Sequence, residues 1–251
     1  MSDGEPKLTV LGHIVELRNR LIKSVIAIAV GSIVCFIFRD YIVNILKLPS
    51  GGVDLQFIEM TEMMGTYMRI SLFGGIALAM PYLVYHAIMF VSPALTRREK
   101  NYVYVILPWI ALMFMGGVLF GYFILVPPAT KFLLTFGSNV ATPQIRVGNY
   151  IAIVTRLLLA IGLVFEMPVV TTFLARIGIV KAKWLADKRK IAIVFAFILA
   201  AIITPTFDPI NQSLVALPLV VLYEISILLA KLVQRKEADT VESVPPPDSQ
   251  P

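Results

Sequence analysis

Long uncharged apolar runs recur along this chain and are separated by short polar segments. Two of these runs, Ile70 to Val91 and Val103 to Val126, contain no Asp, Glu, Lys or Arg. An α-helix needs ~20 apolar residues to cross the hydrocarbon core of a bilayer, so each run is long enough to be a transmembrane helix. The runs also lack the alternation of a membrane β-barrel strand, and the pattern therefore predicts helices.

The complete pattern predicts an all-α, polytopic membrane protein whose fifth and sixth transmembrane helices are short. The fifth has only 13 apolar residues, Ile191 to Ile203, which make ~20 Å of helix against a hydrocarbon core of ~30 Å. Either the bilayer thins beside this helix or the helix packs against protein. A re-entrant hairpin formed by the fifth and sixth segments is the alternative. The six predicted transmembrane helices cover about residues 21–38, 69–91, 103–127, 150–175, 190–204 and 213–231.

Composition and charge agree with this pattern and orient it. Charged residues make up 15% of the chain, whereas soluble domains carry ~25%. The formal net charge is +6, but the cations lie in loops between apolar runs, as topology signals do, which argues against nucleic acid as the partner. Sixteen of the 22 Lys and Arg residues lie on one side of the predicted helices, and this bias predicts that both termini are cytoplasmic (N-in, C-in). The other six are Arg39, Lys47, Arg69, Lys131, Arg146 and Arg156.

The pattern predicts one membrane domain, residues 1–235, followed by a tail. Two long outer segments, 40–68 and 128–149, are predicted to form an extracytoplasmic cap of short helices. Residues 236–251 are polar and rich in proline, so they are predicted to be a disordered cytoplasmic tail.

The sequence offers little for enzyme chemistry. It contains no phosphate loop and no GxGxxG motif, and its two histidines, His13 and His86, are too far apart for zinc-ligand spacing. The one cysteine, Cys35, excludes an internal disulfide. The prediction is therefore a non-enzymatic protein without a cofactor or a metal ion.

Two carboxylates are predicted at the cytoplasmic surface. Glu16 shares the polar face of the amphipathic segment Val10 to Lys23 with His13 and Arg20, where the simplest interpretation is an interfacial helix with a local Glu16–Arg20 pair. Glu99 matches a capping box with Thr96 at the start of the third transmembrane helix. It is also a carboxylate in a basic loop, where it could receive a cationic partner.

Glu166 lies deep in the fourth predicted helix, where an ionised carboxylate costs ~2.5–3.5 kcal/mol. Arg156 is ~15 Å away along the helix and too distant to pair with it directly. Glu166 is therefore predicted to face the bundle interior, a partner helix or water, and a buried, satisfied glutamate is the structural alternative. Asp208, in the tight outer turn between the last two helices, is predicted to form that turn or to N-cap the sixth helix.

These landmarks together resemble one family, TatC, the multi-spanning subunit of the twin-arginine, Sec-independent protein translocase. The resemblance covers about residues 10–235, and Pro49, Glu62 and Asp208 are further matching positions. The matching strings are His13-Ile14-Val15-Glu16-Leu17-Arg18-Asn19-Arg20-Leu21, Met89-Phe90-Val91-Ser92-Pro93-Ala94-Leu95, Glu99 in the following basic run, and Phe165-Glu166-Met167-Pro168-Val169.

The resemblance implies a receptor in a bacterial, archaeal or organellar cytoplasmic membrane. It would bind the twin-arginine signal peptides of folded precursor proteins at the cytoplasmic face and nucleate assembly with single-span TatA/TatB-type subunits. Transport would be driven by the proton-motive force, without a nucleotide site. Membrane lipids and further copies of the chain in a larger complex are the other implied partners.

The resemblance also implies roles for individual residues. Glu16 and Glu99 would pair with the guanidinium groups of the signal, Arg18 and Phe90 would shape that site, and Glu166 would face the concave side of the bundle. Polar contacts to the transmembrane helix of a partner would come from Thr204 and Gln212. The remaining motif positions are Pro49, Glu62, Pro93 and Asp208.

The rival interpretation is a proton-coupled small-molecule secondary transporter in which Glu166 is the coupling carboxylate. Such transporters often contain two inverted halves with matching interrupted helices. No second segment of this chain mirrors the break at Glu166 and Pro168. The sequence therefore favours the receptor.

Overall fold

The structure is a computed structural model that describes residues 10–51, 55–56, 58–91, 97–135, 144–204 and 208–242. These residues are almost entirely helical, with one isolated parallel β-bridge between Gln56 and Arg146, so the predicted all-α class is confirmed. The α-helices of this part of the chain are Val10–Ile37 (α1), Arg39–Lys47 (α2), Glu62–Val91 (α3), Arg97–Phe120 (α4), Val126–Thr135 (α5), Val147–Phe165 (α6), Met167–Arg176 (α7), Ala182–Asp187 (α8), Arg189–Ile203 (α9) and Pro209–Glu242 (α10).

Five helical segments among the described residues are long and apolar enough to cross a membrane. The fifth predicted crossing, α9, has 15 residues and is ~22 Å long, so it is the short helix that the sequence predicted. Together these helices agree with six membrane crossings. The five long segments are Gly12–Ile37, Glu62–Phe90, Val105–Thr135, Val147–Arg176 and Pro209–Gln234.

The N-terminal helix packs on α3 through small residues. The interfacial segment and the first transmembrane helix, which the sequence separated, are one continuous helix of 28 residues, α1. It approaches α3 so closely that a Cβ atom on Gly75 would lie 2.5 Å from the backbone nitrogen of Ser32, and one on Gly31 would lie 2.9 Å from the carbonyl oxygen of Gly75. Close approach of backbones is how transmembrane helices associate without a hydrophobic driving force between them.

The third crossing is longer than the sequence predicted. Helix α4 runs into a π-helical segment, Gly121–Leu125, and then directly into α5. Pro127 and Pro128 have no N–H group, so the carbonyl groups one turn upstream lack their α-helical donors. Just before them, the N–H of Val126 bonds to the carbonyl of Gly121, five residues back, as in a π-helix. The chain thus stays helical across both prolines, and the outer segment predicted from residue 128 begins as helix.

Helix α6 forms the centre of the core and ends at a proline break. Its residues Ile151 and Ile161 are fully buried. The helix stops at Phe165, and α7 restarts at Met167 with Pro168 in its first turn, because proline cannot donate a helical hydrogen bond and disfavours helical geometry in the residue before it. Glu166 therefore lies at the junction of two helices.

The last crossing is longer than predicted. Helix α10 has 34 residues, so the sixth transmembrane helix is long and not short as predicted. It begins at Pro209, immediately after the outer turn, and continues without a break beyond the apolar segment that ends at Gln234. It also includes residues 236–242 of the segment predicted to be disordered, and residues 243–251 lie outside the described part of the chain.

Candidate functional site

Glu16 and Arg20 form an ion pair one helical turn apart on α1. Oε1 of Glu16 accepts hydrogen bonds from Nε of Arg20 at 2.9 Å and from Nη2 at 2.5 Å. This confirms the local pair that the sequence predicted. Oε2 of Glu16 accepts no hydrogen bond from the described residues, and the Glu16 side chain is 25% exposed. The carboxylate therefore keeps one acceptor open at the end of the bundle.

Helix α3 makes two contacts with α1 beside this pair, one through His86 and one through Phe90. Nη1 of Arg20 lies 3.3 Å from Nδ1 of His86, and the ring of Phe90 stacks on His13 with ring centroids 4.4 Å apart. Because Phe90 lies one turn beyond His86, both contacts come from the same end of α3. We call these five residues, His13, Glu16, Arg20, His86 and Phe90, the Glu16 cluster.

The other residues predicted for this site are described only in part. Arg18 is exposed and makes no ion pair within the described residues. Glu99 belongs to the first turn of α4, but its side chain lies outside the described part, as do Pro93 and the capping residue Thr96. Since α3 ends at Val91 and α4 begins at Arg97, the backbone of Glu99 lies at the same end of the bundle as Phe90.

Glu166 is a buried carboxylate whose side-chain oxygens have no hydrogen-bond partner among the described residues. It is 3% exposed, and neither carboxylate oxygen receives a hydrogen bond from any described residue. Arg156 is exposed on α6 and makes no ion pair with it, as the spacing predicted. The structural alternative, a buried and satisfied glutamate, is therefore not what the described residues form.

The outer turn between α9 and α10 holds three of the predicted polar residues. Asp208 accepts a hydrogen bond from the N–H of Asn211 at 3.0 Å, so it caps α10 as predicted. The hydroxyl of Thr204 donates to the carbonyl of Ala200 at 2.7 Å. Gln212 donates its amide to the carbonyl of Phe197 at 2.9 Å, which ties α10 to α9.

A charged network closes the end of α3 and α6 that lies opposite the Glu16 cluster. Glu62 accepts hydrogen bonds from the N–H groups of Ile58 at 3.0 Å and Gly148 at 2.9 Å. Arg146 lies 2.6 Å from a carboxylate oxygen of Glu59, and this hydrogen bond raises the pKa of the Arg146 guanidinium above its ordinary value. Glu62 thus caps α6 and holds it to the start of α3. Pro49 lies apart from this network, in the 3-10 turn Leu48–Ser50 that follows α2.

The Glu62→Gln variant is expected to lower the melting temperature of the protein by a few degrees. The amide keeps one acceptor oxygen but presents an NH₂ group to the second backbone donor, which loses its partner. Thermal unfolding in detergent measures this change. Glu59→Gln is the matched control, because the exposed Glu59 side chain pairs with Arg146 but accepts no backbone N–H group among the described residues; an equal loss in both variants would contradict the capping role of Glu62.

Comparison with known proteins decides the family. The family described as “Sec-independent protein translocase protein (TatC)” matches residues 12–218, a range that includes Glu16, Phe90 and Glu166. The chain belongs to the TatC family. TatC proteins are components of a protein translocase and not enzymes, in agreement with the sequence prediction.

Individual TatC proteins match over nearly the whole chain. The relative from Carboxydothermus hydrogenoformans is 40% identical over 92% of this chain and 96% of its own length. The one from Aquifex aeolicus is 42% identical over 90% of this chain and 96% of its own. A crystal structure described as the twin arginine translocase receptor TatC matches with a TM-score of 0.78 and 43% identity, over 89% of this chain and all of its own.

The structure of this TatC protein shows contacts in the site that the sequence did not predict. His86 was considered only as a zinc ligand, and its contact with Arg20 depends on the packing of α1 against α3. His13 and Phe90 are 77 positions apart in the chain, and only a prediction of that packing would have paired them. Within the described residues, no group of three or more His, Cys, Asp or Glu side chains is arranged to hold a metal ion.

Proposed function

We propose that this chain is the receptor of a twin-arginine translocase, which binds the twin-arginine signal peptides of folded precursor proteins at the cytoplasmic face of the membrane. The observation that carries the proposal is the Glu16 cluster. Its carboxylate already binds a guanidinium, that of Arg20, through Oε1, and Oε2 accepts no hydrogen bond from the described residues. A surface that binds one guanidinium in this manner has the chemistry to bind the arginine of a peptide.

Two carboxylates are needed to read two arginines, and Glu99 is the proposed second one. Its backbone follows α3 by a short connection, and Phe90 stands near the end of α3. A carboxylate and a guanidinium meet through two parallel charge-assisted hydrogen bonds, which a lysine ammonium cannot reproduce. This geometry explains a preference for twin arginine over twin lysine. Arg18, exposed on the same helix as Glu16, would border the site.

The proposed orientation puts the Glu16 cluster and both termini in the cytoplasm. The basic segments on that side, including the one between α7 and α9, would hold the anionic lipids of the inner leaflet. Glu16 and Glu99 would then form a small negative site inside a positive rim. The network of Glu59, Glu62 and Arg146 would belong to an extracytoplasmic cap.

The proposed partners are single-span TatA/TatB-type subunits, together with further copies of this chain. Thr204 and Gln212 lie at the outer ends of α9 and α10, where the carbonyl oxygen of the Gln212 amide makes no hydrogen bond within the described residues. That acceptor and the exposed apolar face of α9 suit a transmembrane helix with a polar group near its outer end. Glu166 would contribute a polar contact deeper in the bundle.

The test is the affinity of twin-arginine peptides for Glu16→Gln and Glu99→Gln variants in nanodiscs. Hydrogen bonds to charged groups contribute ~1.5–3 kcal/mol, so each variant is expected to bind the Arg-Arg peptide roughly 10- to 150-fold more weakly. Glutamine can still serve the capping box at position 99, so the substitution separates peptide binding from helix capping. The preference for Arg-Arg over Lys-Lys peptides is expected to narrow.

Unchanged binding of the Arg-Arg peptide by both variants would show that these carboxylates do not form the site. Glu224→Gln is a matched control. Glu224 is a partly exposed carboxylate on the last helix, α10, and it lies 2.8 Å from Arg189 on α9. It is outside the proposed site. The secondary-transporter alternative is not favoured, since the chain belongs to a family of protein translocase components.

A further inference from the structure

The Glu16 carboxylate is already paired with a residue of the same chain, Arg20, but through only one of its two oxygens. Both hydrogen bonds from Arg20, at 2.9 Å and 2.5 Å, reach the same oxygen, Oε1. A guanidinium that meets a carboxylate fork to fork engages both oxygens through parallel bonds. Arg20 therefore holds Glu16 in a partial form of the contact that a peptide arginine can make in full.

From this geometry we propose that Arg20 is an internal competitor, whose guanidinium occupies Glu16 until an incoming peptide displaces it. The inference rests on the proposed binding of signal arginines by Glu16. A peptide arginine can engage both oxygens and so replaces Arg20 with a better contact. A lysine ammonium is a point charge without a fork, and its contact with Glu16 is no better than the guanidinium contact that it replaces. The cost of removing Arg20 is the same for both peptides, so Arg20 lowers the affinity for each of them by the same factor.

His86 provides a position for Arg20 after the exchange. Nη1 of Arg20 lies 3.3 Å from Nδ1 of His86, on the side of the guanidinium that does not face Glu16. His86 is in turn held by edge contacts with Tyr82 and Tyr85, with ring centroids 4.3 Å and 5.3 Å away. A peptide therefore breaks only the Arg20–Glu16 contact, and an ion pair between residues four apart on a helix is weak enough to be displaced.

The experiment compares Arg-Arg and Lys-Lys signal peptides on the full-length Arg20→Met variant in nanodiscs. Methionine removes the guanidinium but keeps a long apolar side chain against α3. Both peptides are expected to bind about twofold more tightly, and the affinity ratio between them is expected to stay the same. Lys23→Met is the matched control, since it removes one exposed positive charge from the same helix and Lys23 makes no ion pair within the described residues. It is expected to leave both affinities nearly unchanged.

The outcomes separate this inference from the proposed function. If Glu16→Gln weakens Arg-Arg binding but Arg20→Met leaves both affinities unchanged, or lowers them, the inference is wrong and the proposed function stands. If Glu16→Gln has no effect, the proposed site itself is wrong. In the Glu16→Gln background, Arg20→Met is expected to change nothing further; tighter binding there would mean that Arg20 acts through another group, and this would also overturn the inference.

Discussion

The Gly75→Ala variant is expected to melt roughly 5 °C or more below the parent protein, because overpacking costs ~1–3 kcal/mol. The added methyl group would lie 2.5 Å from the backbone nitrogen of Ser32 and 2.8 Å from its Cα atom. Backbone atoms cannot rotate away as the end of a side chain can, so α1 and α3 would have to separate. Thermal unfolding of the purified protein in detergent, followed by circular dichroism, measures the shift.

Gly116→Ala is the matched control for this prediction. Gly116 also lies inside a transmembrane helix, α4, but a Cβ atom there would meet nothing within 4 Å. Alanine is favoured over glycine inside a helix by ~0.5–1 kcal/mol, so this variant is expected to melt at the same temperature as the parent or higher. Equal melting temperatures for the two alanine variants would mean that the α1–α3 contact does not depend on close approach.

The Glu166→Gln variant is expected to keep the fold and lose transport. The amide has nearly the same shape as the carboxylate and is cheaper to bury, so the melting temperature should stay the same or rise. The Glu166 carboxyl is 3% exposed and accepts no hydrogen bond from the described residues, so we expect a partner or a precursor to make contact with it. Loss of one charge-assisted contact of ~1.5–3 kcal/mol corresponds to a roughly 10- to 150-fold fall in the export of a folded reporter with a twin-arginine signal.

Glu166→Asp tests charge against shape at the same position. It retains the carboxylate on a shorter side chain, so export by this variant should exceed export by the Gln variant. Normal export by the Glu166→Gln variant would mean that Glu166 has only a structural role at the junction of α6 and α7. A folded but inactive Asp variant beside an active Gln variant would contradict the requirement for charge.

The sequence predicted those features that follow from local composition. Uncharged runs such as Ile70 to Val91 identified the crossings, because lipid tolerates few alternatives to an apolar helix. Local spacing predicted the Glu16–Arg20 pair, and the outer turn predicted the cap formed by Asp208. The proline at position 168 marked the break after Glu166. Each of these depends on neighbours within a few residues.

The sequence could not predict the features that depend on packing or on the continuation of a helix. Apolarity ends near residue 127, but α5 continues to Thr135 because a π-helical segment absorbs the two prolines. The length of α10 was underestimated because a helix that leaves the membrane keeps its geometry after its hydrophobicity ends. The contact between Arg20 and His86 joins residues 66 apart, and it exists only because small residues let α1 approach α3.

Helix α9 has only 15 residues. It lies beside the apolar segment Pro209–Gln234 of α10, which has 26. Only Ala196, Ala200 and Ile203 of α9 are buried, so most of its apolar surface is left to lipid unless a partner covers it. Lipid chains beside a helix of ~22 Å must compress or tilt to match it. This elastic deformation is relieved whenever another short helix takes the place of the strained lipids. The bilayer itself is therefore expected to favour short transmembrane helices as neighbours of α9, through a force that requires no complementary side chain and is not screened by salt.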